Sequence, residues 1–239
     1  MPATNPPSDP PSLWIIAGAN GSGKSTAYER ASIDAPSGAV WFINPDALAK
    51  RIVDHEELPL NPEANLEAVQ RIERWLHASV DAHQTVGVET VLATDKYRRL
   101  VTRAHEQGFR VALIYVFLRN AEINVARVRD RVAKGGHDVP EASIRGRRSR
   151  SFTQLTWFFE HADRADIFDN SGAEPRLVAR KSDGEVTVYG RLIGELVTAL
   201  EPAAPGLAEL LKRQKPRRRR RRRRRGPRPV ADVAQRSMP

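Results

Sequence analysis

An apolar run, Leu13-Trp14-Ile15-Ile16, opens directly into the stretch AGANGSGKST at residues 17–26. Gly18, four residues, then Gly23-Lys24-Ser25 is the spacing G-x-x-x-x-G-K-[ST], lying between a strand pattern and a helix start. No other stretch constrains the fold as much, because such a loop works only when a strand delivers it and a helix begins at its end. Glycines at 18, 21 and 23 let backbone N–H groups turn inward around phosphate oxygens, and the helix starting near Lys24 adds its positive end. Gly18, Ala19, Asn20, Gly21, Ser22, Gly23, Lys24, Ser25 and Thr26 therefore form the expected cradle for a nucleoside triphosphate. Lys24 is expected at the β- and γ-phosphates, Ser25 as a hydroxyl ligand of Mg²⁺, and Thr26 at the α-phosphate. The competing reading is a glycine-rich turn with an incidental lysine.

Downstream, short β-favouring runs recur: AVWFIN (39–44), TVGVETVL (85–92), RVALIYVFL (110–118) and ADIFDN (165–170). Helical patterns separate them. Leu66, Val69, Ile72, Leu76 and Val80 recur at threes and fours and predict one apolar stripe on a helix entered after Pro62. Helices are also expected over 95–107, closed by Gly108, and 121–134, closed by Gly135-Gly136. The SDG at 182–184 predicts a hairpin over 175–189. This alternation specifies an α/β fold with a mostly parallel sheet covered on both faces. The expected divisions are a proline-rich disordered leader at 1–11, one domain at 12–200 and a disordered arginine-rich tail at 201–239.

The formal charge of +10 is concentrated at one end. Residues 212–239 hold 14 of the 39 lysines and arginines and one of the 29 acids, Asp232, so the preceding 211 residues carry 25 basic against 28 acidic side chains. The body is slightly acidic, and the run Arg217 to Arg225 is a candidate polyanion-binding segment. The chain has no cysteine, which excludes disulfides and thiolate metal sites, and its six histidines show no paired ligand spacing. No window approaches a membrane span and the first twelve residues lack a signal-peptide pattern, so a cytoplasmic location is expected.

Acids and arginines cluster around the loop. Asp46 follows the second strand in WFINPD, at the edge where open α/β sheets bind ligands; it is either the general base for an attacking hydroxyl or a helix cap. Glu89, with Thr90 beside it, stands in an otherwise apolar strand, where a carboxylate must meet a cation, a donor or a ligand; a structural salt bridge is the alternative. Arg127 and Arg131, four apart, share one helical face, and after Gly135-Gly136 come arginines at 145, 147, 148 and 150. Helix, joint and arginine-rich helix form the pattern of a lid over phosphates, against the alternative of a solvated basic face.

The motifs GANGSGKST (18–26), NPD (44–46), ETVL (89–92), GFRVALIYVFL (108–118), RVRDRVAKGGHDVP (127–140) and FDNSG (168–172) together resemble the zeta toxin family of P-loop kinases, in its short form with a GGH lid, over residues 13–190. The resemblance implies a three-layer P-loop kinase that uses ATP and Mg²⁺ to phosphorylate a hydroxyl of a small molecule, UDP-N-acetylglucosamine in its best-known members. It also implies a growth-inhibiting toxin restrained by an antitoxin protein. By the same resemblance Lys24 is the phosphate lysine, Asp46 the catalytic base, Glu89 with Thr90 the acceptor-binding pair and Arg131 the first lid arginine. Asp169 and Asn170 would lie near the nucleotide base. Arg147 aligns with the second lid arginine, but Arg148 replaces the usual tyrosine, so Arg147, Arg148 and Arg150 all remain candidates. His137 is read as a lid hydrogen-bonding or structural residue. Two other readings stand beside this one: a nucleic-acid end kinase, and a nucleotide-binding interaction protein without transfer activity.

Overall fold

The computed structural model describes residues 9–30, 41–44, 48, 62–136 and 138–209. Asp46, His137 and the run Arg217 to Arg225 lie outside the described residues. In chain order the elements are β1 (Ser12–Ala17), α1 (Lys24–Arg30), β2 (Trp41–Ile43), α2 (Pro62–Asp81), β3 (Val86–Thr90), α3 (Arg98–Glu106) and β4 (Arg110–Phe117). There follow α4 (Ala121–Ala133), α5 (Glu141–His161), β5 (Arg164–Asp169), β6 (Arg176–Ser182), β7 (Glu185–Val188) and α6 (Gly194–Leu200).

The strands form one sheet in the order β2-β3-β1-β4-β5-β6-β7. The first five are parallel, and β6 and β7 return antiparallel. β1 lies centrally and is buried along its whole length, which is why its sequence is a continuous apolar run rather than an alternating one. One face carries Leu13, Ile15, Leu113, Tyr115 and Ile167 against Leu76, Leu100, Leu155 and Leu196 of α2, α3, α5 and α6. The other carries Trp14, Ile16, Ile114, Val116 and Phe168 against Ala27 of α1. The mostly parallel three-layer arrangement expected from the strand-helix alternation is therefore present.

Three boundaries differ from expectation. α3 starts at Arg98 rather than 95, because residues 95–97 form a turn in which the Arg98 N–H donates to the Asp95 carbonyl at 2.8 Å. In the α2 stripe, Ile72, Leu76 and Val80 are buried but Leu66 is 58% exposed. The helix is anchored to the sheet through its C-terminal half, which feeds β3, with Val69 packed at the edge of that core. At the other end of the domain, Leu207 is buried in the main core, and the Glu201 carboxylate accepts from the backbone N–H groups of Gly206 and Ala208, both at 2.9 Å. Residues 201–208 thus pack with the body. The hairpin turn is built as expected, with Asp183 at φ 51° and Gly184 at φ 81°.

Candidate nucleotide-binding site

The phosphate loop leaves the carboxyl end of β1 and enters α1 at Lys24. Two of its glycines are required on geometric grounds. Gly21 has φ 74°, and a Cβ there would stand 2.6 Å from the Asn124 carbonyl oxygen of α4. Gly23 has φ 78°, and a Cβ there would collide with the Asn170 side-chain amide. The loop is held from behind by side chains of other elements. Asn124 Nδ2 donates to the Asn20 carbonyl at 2.7 Å, and Asn170 Nδ2 donates to the Ser22 carbonyl at 2.8 Å. Buried on the same loop, Ser22 Oγ and Asn20 Oδ1 have no hydrogen-bond partner. Polar atoms in that state fit a loop built to meet a polar ligand.

Glu89 stands at the centre of the charged groups. The register pairs Ile16 with Glu89, which sets the carboxylate beside the end of β1. Its Oε2 accepts the Ser25 hydroxyl at 2.9 Å, its Oε1 accepts Asn44 Nδ2 at 3.1 Å, and the Lys24 ammonium lies 3.7 Å from Oε1. The carboxylate thus meets both donors and a cation, as burial in an apolar strand demands. Lys24, itself buried, also donates to the Gly18 carbonyl at 3.0 Å. The Thr90 hydroxyl accepts from the Leu92 backbone N–H at 3.0 Å and holds the turn in which Leu92 has φ 57°. Ser25 and Thr26 are exposed at the loop's mouth.

A hydroxyl and a carboxylate are hard oxygen donors that suit Mg²⁺, an ion that takes one or two protein oxygens and completes its octahedron with phosphate and water. No group of three or more His, Cys, Asp or Glu side chains that could hold a metal ion occurs among the described residues.

Helix α4 lies over the loop and presents Asn124, Arg127 and Arg131 at spacings of three and four. Arg127 Nη2 donates to the Asn170 carbonyl at 2.8 Å, and its Nη1 lies 3.5 Å from where a Gly23 Cβ would stand. Arg127 and Asn124 are the site residues that the motif reading did not assign; the three-and-four spacing with Arg131 was the available signal. Arg131, one turn further on, is exposed.

Asp169 and Asn170 follow β5 as expected, but their side chains are committed to the protein. Asn170 braces the loop, and Asp169 Oδ2 lies 3.2 Å from Arg119 Nε and 3.6 Å from Arg176 Nη2. Its other oxygen accepts the Ser171 N–H at 2.9 Å. Burial pushes the Asp169 carboxyl up, but the hydrogen bonds from Ser171 and Arg119 outweigh it and hold the group below the ordinary aspartate value.

On α5 the three candidate arginines separate. Arg148 is 9% exposed, donates to Glu195 Oε1 at 2.9 Å and to the Leu118 carbonyl at 3.2 Å, and lies over the Phe152 ring. It ties α5 to α6 and β4 and is not available to a phosphate. Burial acts to raise the Glu195 carboxyl, but the bond from Arg148 prevails and holds it low. Arg145 fastens α5 to α4 through Glu122 at 2.8 Å and pairs with Glu141 of its own helix, also at 2.8 Å. Arg147, half-buried, and Arg150, exposed, have no side-chain bond or ion pair among the described residues.

Residues 13–153 match the AAA domain family AAA_33, more than half of the chain, and the chain belongs to that family. An uncharacterized protein of Haemophilus influenzae is 29% identical over 147 residues, which cover 56% of this chain and 96% of that protein. Among solved structures, the AvrRxo1-ORF1:ORF2 complex with ATP aligns at a TM-score of 0.59 and 17% identity, covering 85% of this chain and 63% of the other. The PezAT chromosomal toxin-antitoxin system of Streptococcus pneumoniae aligns at 0.54 and 16% identity, covering 86% and 88%. These similarities establish a P-loop kinase-like fold.

Proposed function

We propose that this protein is an ATP-dependent phosphotransferase that moves the γ-phosphoryl group to a hydroxyl of a small molecule. The observation that carries the reading is the convergence on one preformed loop of Lys24, Ser25 and Glu89, with α4 laying Arg127 against the same loop. In this reading the loop N–H groups and Lys24 hold the triphosphate. Ser25 would hold Mg²⁺, which when bound neutralises charge between the β- and γ-phosphates. Asp46, outside the described residues, takes the proton of the acceptor hydroxyl as the acceptor oxygen bonds to the γ-phosphorus. The bond from that phosphorus to the bridging oxygen breaks, and ADP leaves with the electron pair. Arg131 and Arg147 offset the charge that develops on the transferring group.

UDP-N-acetylglucosamine is the proposed acceptor, Asp46 and Glu89 its anchors, and a growth-inhibiting toxin held by an antitoxin the proposed biology. The motif resemblance supports these, as does a fold shared with PezAT and with a structure described as an ATP complex. No helix among the described residues is long and apolar enough to cross a membrane, in keeping with the proposed cytoplasmic location. The segment Arg217 to Arg225 supports a further partner class, nucleic acid or another polyanion.

The test is ³¹P NMR or a mass shift of acceptors incubated with the protein and Mg-ATP, using UDP-sugars, free sugars and oligonucleotides in parallel. Phosphorylation of a UDP-sugar is the expected result. Phosphorylation of an oligonucleotide end alone would install the nucleic-acid kinase in its place.

A further inference from the structure

The amino ends of the strands, at the edge of the sheet away from the phosphate loop, surround a cavity of about 350 Å³. That lies toward the small end of the about 300–1,000 Å³ usual for small-molecule sites. The register shows how it is built. Ser12 pairs with Arg110, Trp14 with Ala112, Ala112 with Arg164 and Arg164 with Ser182, so these residues stand on one face of the sheet, and all of them line the cavity. Ala112 is the short side chain between an indole and a guanidinium, and its size leaves the depth. Trp14 is 4% exposed, and its indole N–H has no hydrogen-bond partner. A buried donor left unpaired is destabilising, and an acceptor on a ligand would relieve it.

The charged groups of the lining divide in two. Arg164 is committed, donating to Asp166 Oδ2 from Nε at 3.2 Å and from Nη2 at 2.9 Å, and so is Asp163, whose Oδ2 accepts the Val111 N–H at 2.7 Å. Others are not. Among the described residues Arg110 and Asp9 have no side-chain bond or ion pair, and Asp183 meets only the Ser182 hydroxyl, at 3.2 Å. These three are exposed at the rim, whereas Trp14 and Ala112 are buried at the floor. We propose that this cavity binds a small zwitterion of the amino-acid class. Its carboxylate accepts from the Trp14 indole N–H and the Arg110 guanidinium, and its ammonium meets the Asp9 and Asp183 carboxylates. A simple anion would leave those two carboxylates unneutralised. A simple cation would leave the indole donor unpaired and share the cavity with Arg110. One molecule with both charges satisfies every uncommitted group. The inference stands apart from the nucleotide-binding reading, because β1 puts about 20 Å of extended strand between Ser12 and the loop.

The experiment follows melting temperature and intrinsic tryptophan fluorescence of the full chain during titration with the standard amino acids one at a time, with acetate and methylamine as probes of each half. At least one amino acid should raise the melting temperature saturably and change the emission. Acetate and methylamine should bind at least about tenfold more weakly. Arg110→Ala should weaken binding of that amino acid by about tenfold or more, while its unliganded melting temperature and its affinity for a fluorescent ATP analogue stay at wild type. Asp183→Asn, which suits a turn position of φ 51°, should weaken it likewise. Trp14→Phe keeps the ring and removes the N–H, and should also lose about tenfold; should it fail to fold, the two rim variants decide the matter. No response to any amino acid at about 10 mM, where a site of millimolar affinity is mostly filled, overturns the inference. So does acetate that binds as tightly as the amino acid, or binding that Arg110→Ala and Asp183→Asn leave unchanged. Displacement of the amino acid by ATP would put it at the phosphate loop and overturn the inference as well.

Discussion

The phosphate loop and the joint between α4 and α5 both use glycines of positive φ, yet Gly135 of the joint stands in open space where Gly21 and Gly23 of the loop do not. At Gly21 and Gly23 an added Cβ would strike the Asn124 carbonyl or the Asn170 amide. At Gly135, with φ 84°, it would meet nothing within 4 Å. The same contrast holds for charge. Around the loop, Lys24, Glu89, Asn170 and Arg127 are bonded to specific partners. Beyond the joint, Arg145 and Arg148 are bonded too, but Arg147 and Arg150 are not, among the described residues. A cradle for phosphate loses least on binding if it is already in place, whereas groups that must close over the transferring phosphoryl gain from being uncommitted.

The largest expected effect tests the glycine contrast. Gly23→Ala combines backbone strain with a collision at Asn170, and should weaken binding of a fluorescent ATP analogue by about 100-fold or more, at a strain cost of about 1–3 kcal/mol in stability. Gly135→Ala has the strain without the collision. It should cost about 1 kcal/mol in a melting experiment and leave nucleotide affinity within a few-fold. Equal losses of affinity in the two variants would break the comparison.

Next comes Arg131→Ala, which should lower kcat by about 10²–10³ while changing the KM for ATP far less, because the contact strengthens as charge develops. An unchanged kcat would return Arg131 to a solvated face. Neighbouring arginines on α5 should then part company. Arg148→Ala should destabilise the fold by about 2 kcal/mol through loss of the Glu195 and Leu118 bonds, a shift of several degrees in melting temperature. Arg147→Ala should leave the melting temperature nearly unchanged and lower kcat, and Arg150→Ala decides which of the two uncommitted side chains contributes more.

The smallest effect is in the pH dependence of stability. A carboxyl held low in the folded protein, as Asp169 is, contributes stability above its unfolded value, and that contribution is lost as pH falls through the folded value. Arg119→Ala removes one of the groups that hold it low, so the acid-unfolding midpoint should move to higher pH. No movement would mean that the Ser171 bonds alone hold the carboxylate.

Much of this fold could be read in the sequence because its signals are local. A strand buried on both faces reads as an apolar run, a left-handed turn reads as glycine, and the hairpin turn reads as Asp183-Gly184. The loop's proposed function is equally local, since backbone N–H groups and one lysine suffice to hold a triphosphate. What could not be read depends on approach in space. Arg147 and Arg148 are adjacent and chemically identical in sequence, and only the packing of α5 against α6 and β4 decides that Arg148 is buried while Arg147 is not. Asn170 follows a strand at the ligand edge, and only the fold shows that its amide is set against the Ser22 carbonyl. Likewise no spacing rule connects Asn44, Glu89 and Ser25, which three separate elements bring together at the carboxyl edge of the sheet.

The loop and its surrounding charges are proposed to serve phosphoryl transfer. The most direct measurement follows the γ-phosphoryl of labelled ATP in the presence of Mg²⁺ and UDP-N-acetylglucosamine, comparing the wild type, Lys24→Ala and Asp46→Asn. Labelled acceptor is expected with the wild type, no nucleotide binding with Lys24→Ala, and for Asp46→Asn nucleotide affinity within a few-fold of wild type but transfer reduced by about 10²–10⁴. A wild type that binds Mg-ATP but labels neither this acceptor nor any other sugar, nucleotide or oligonucleotide hydroxyl would contradict it.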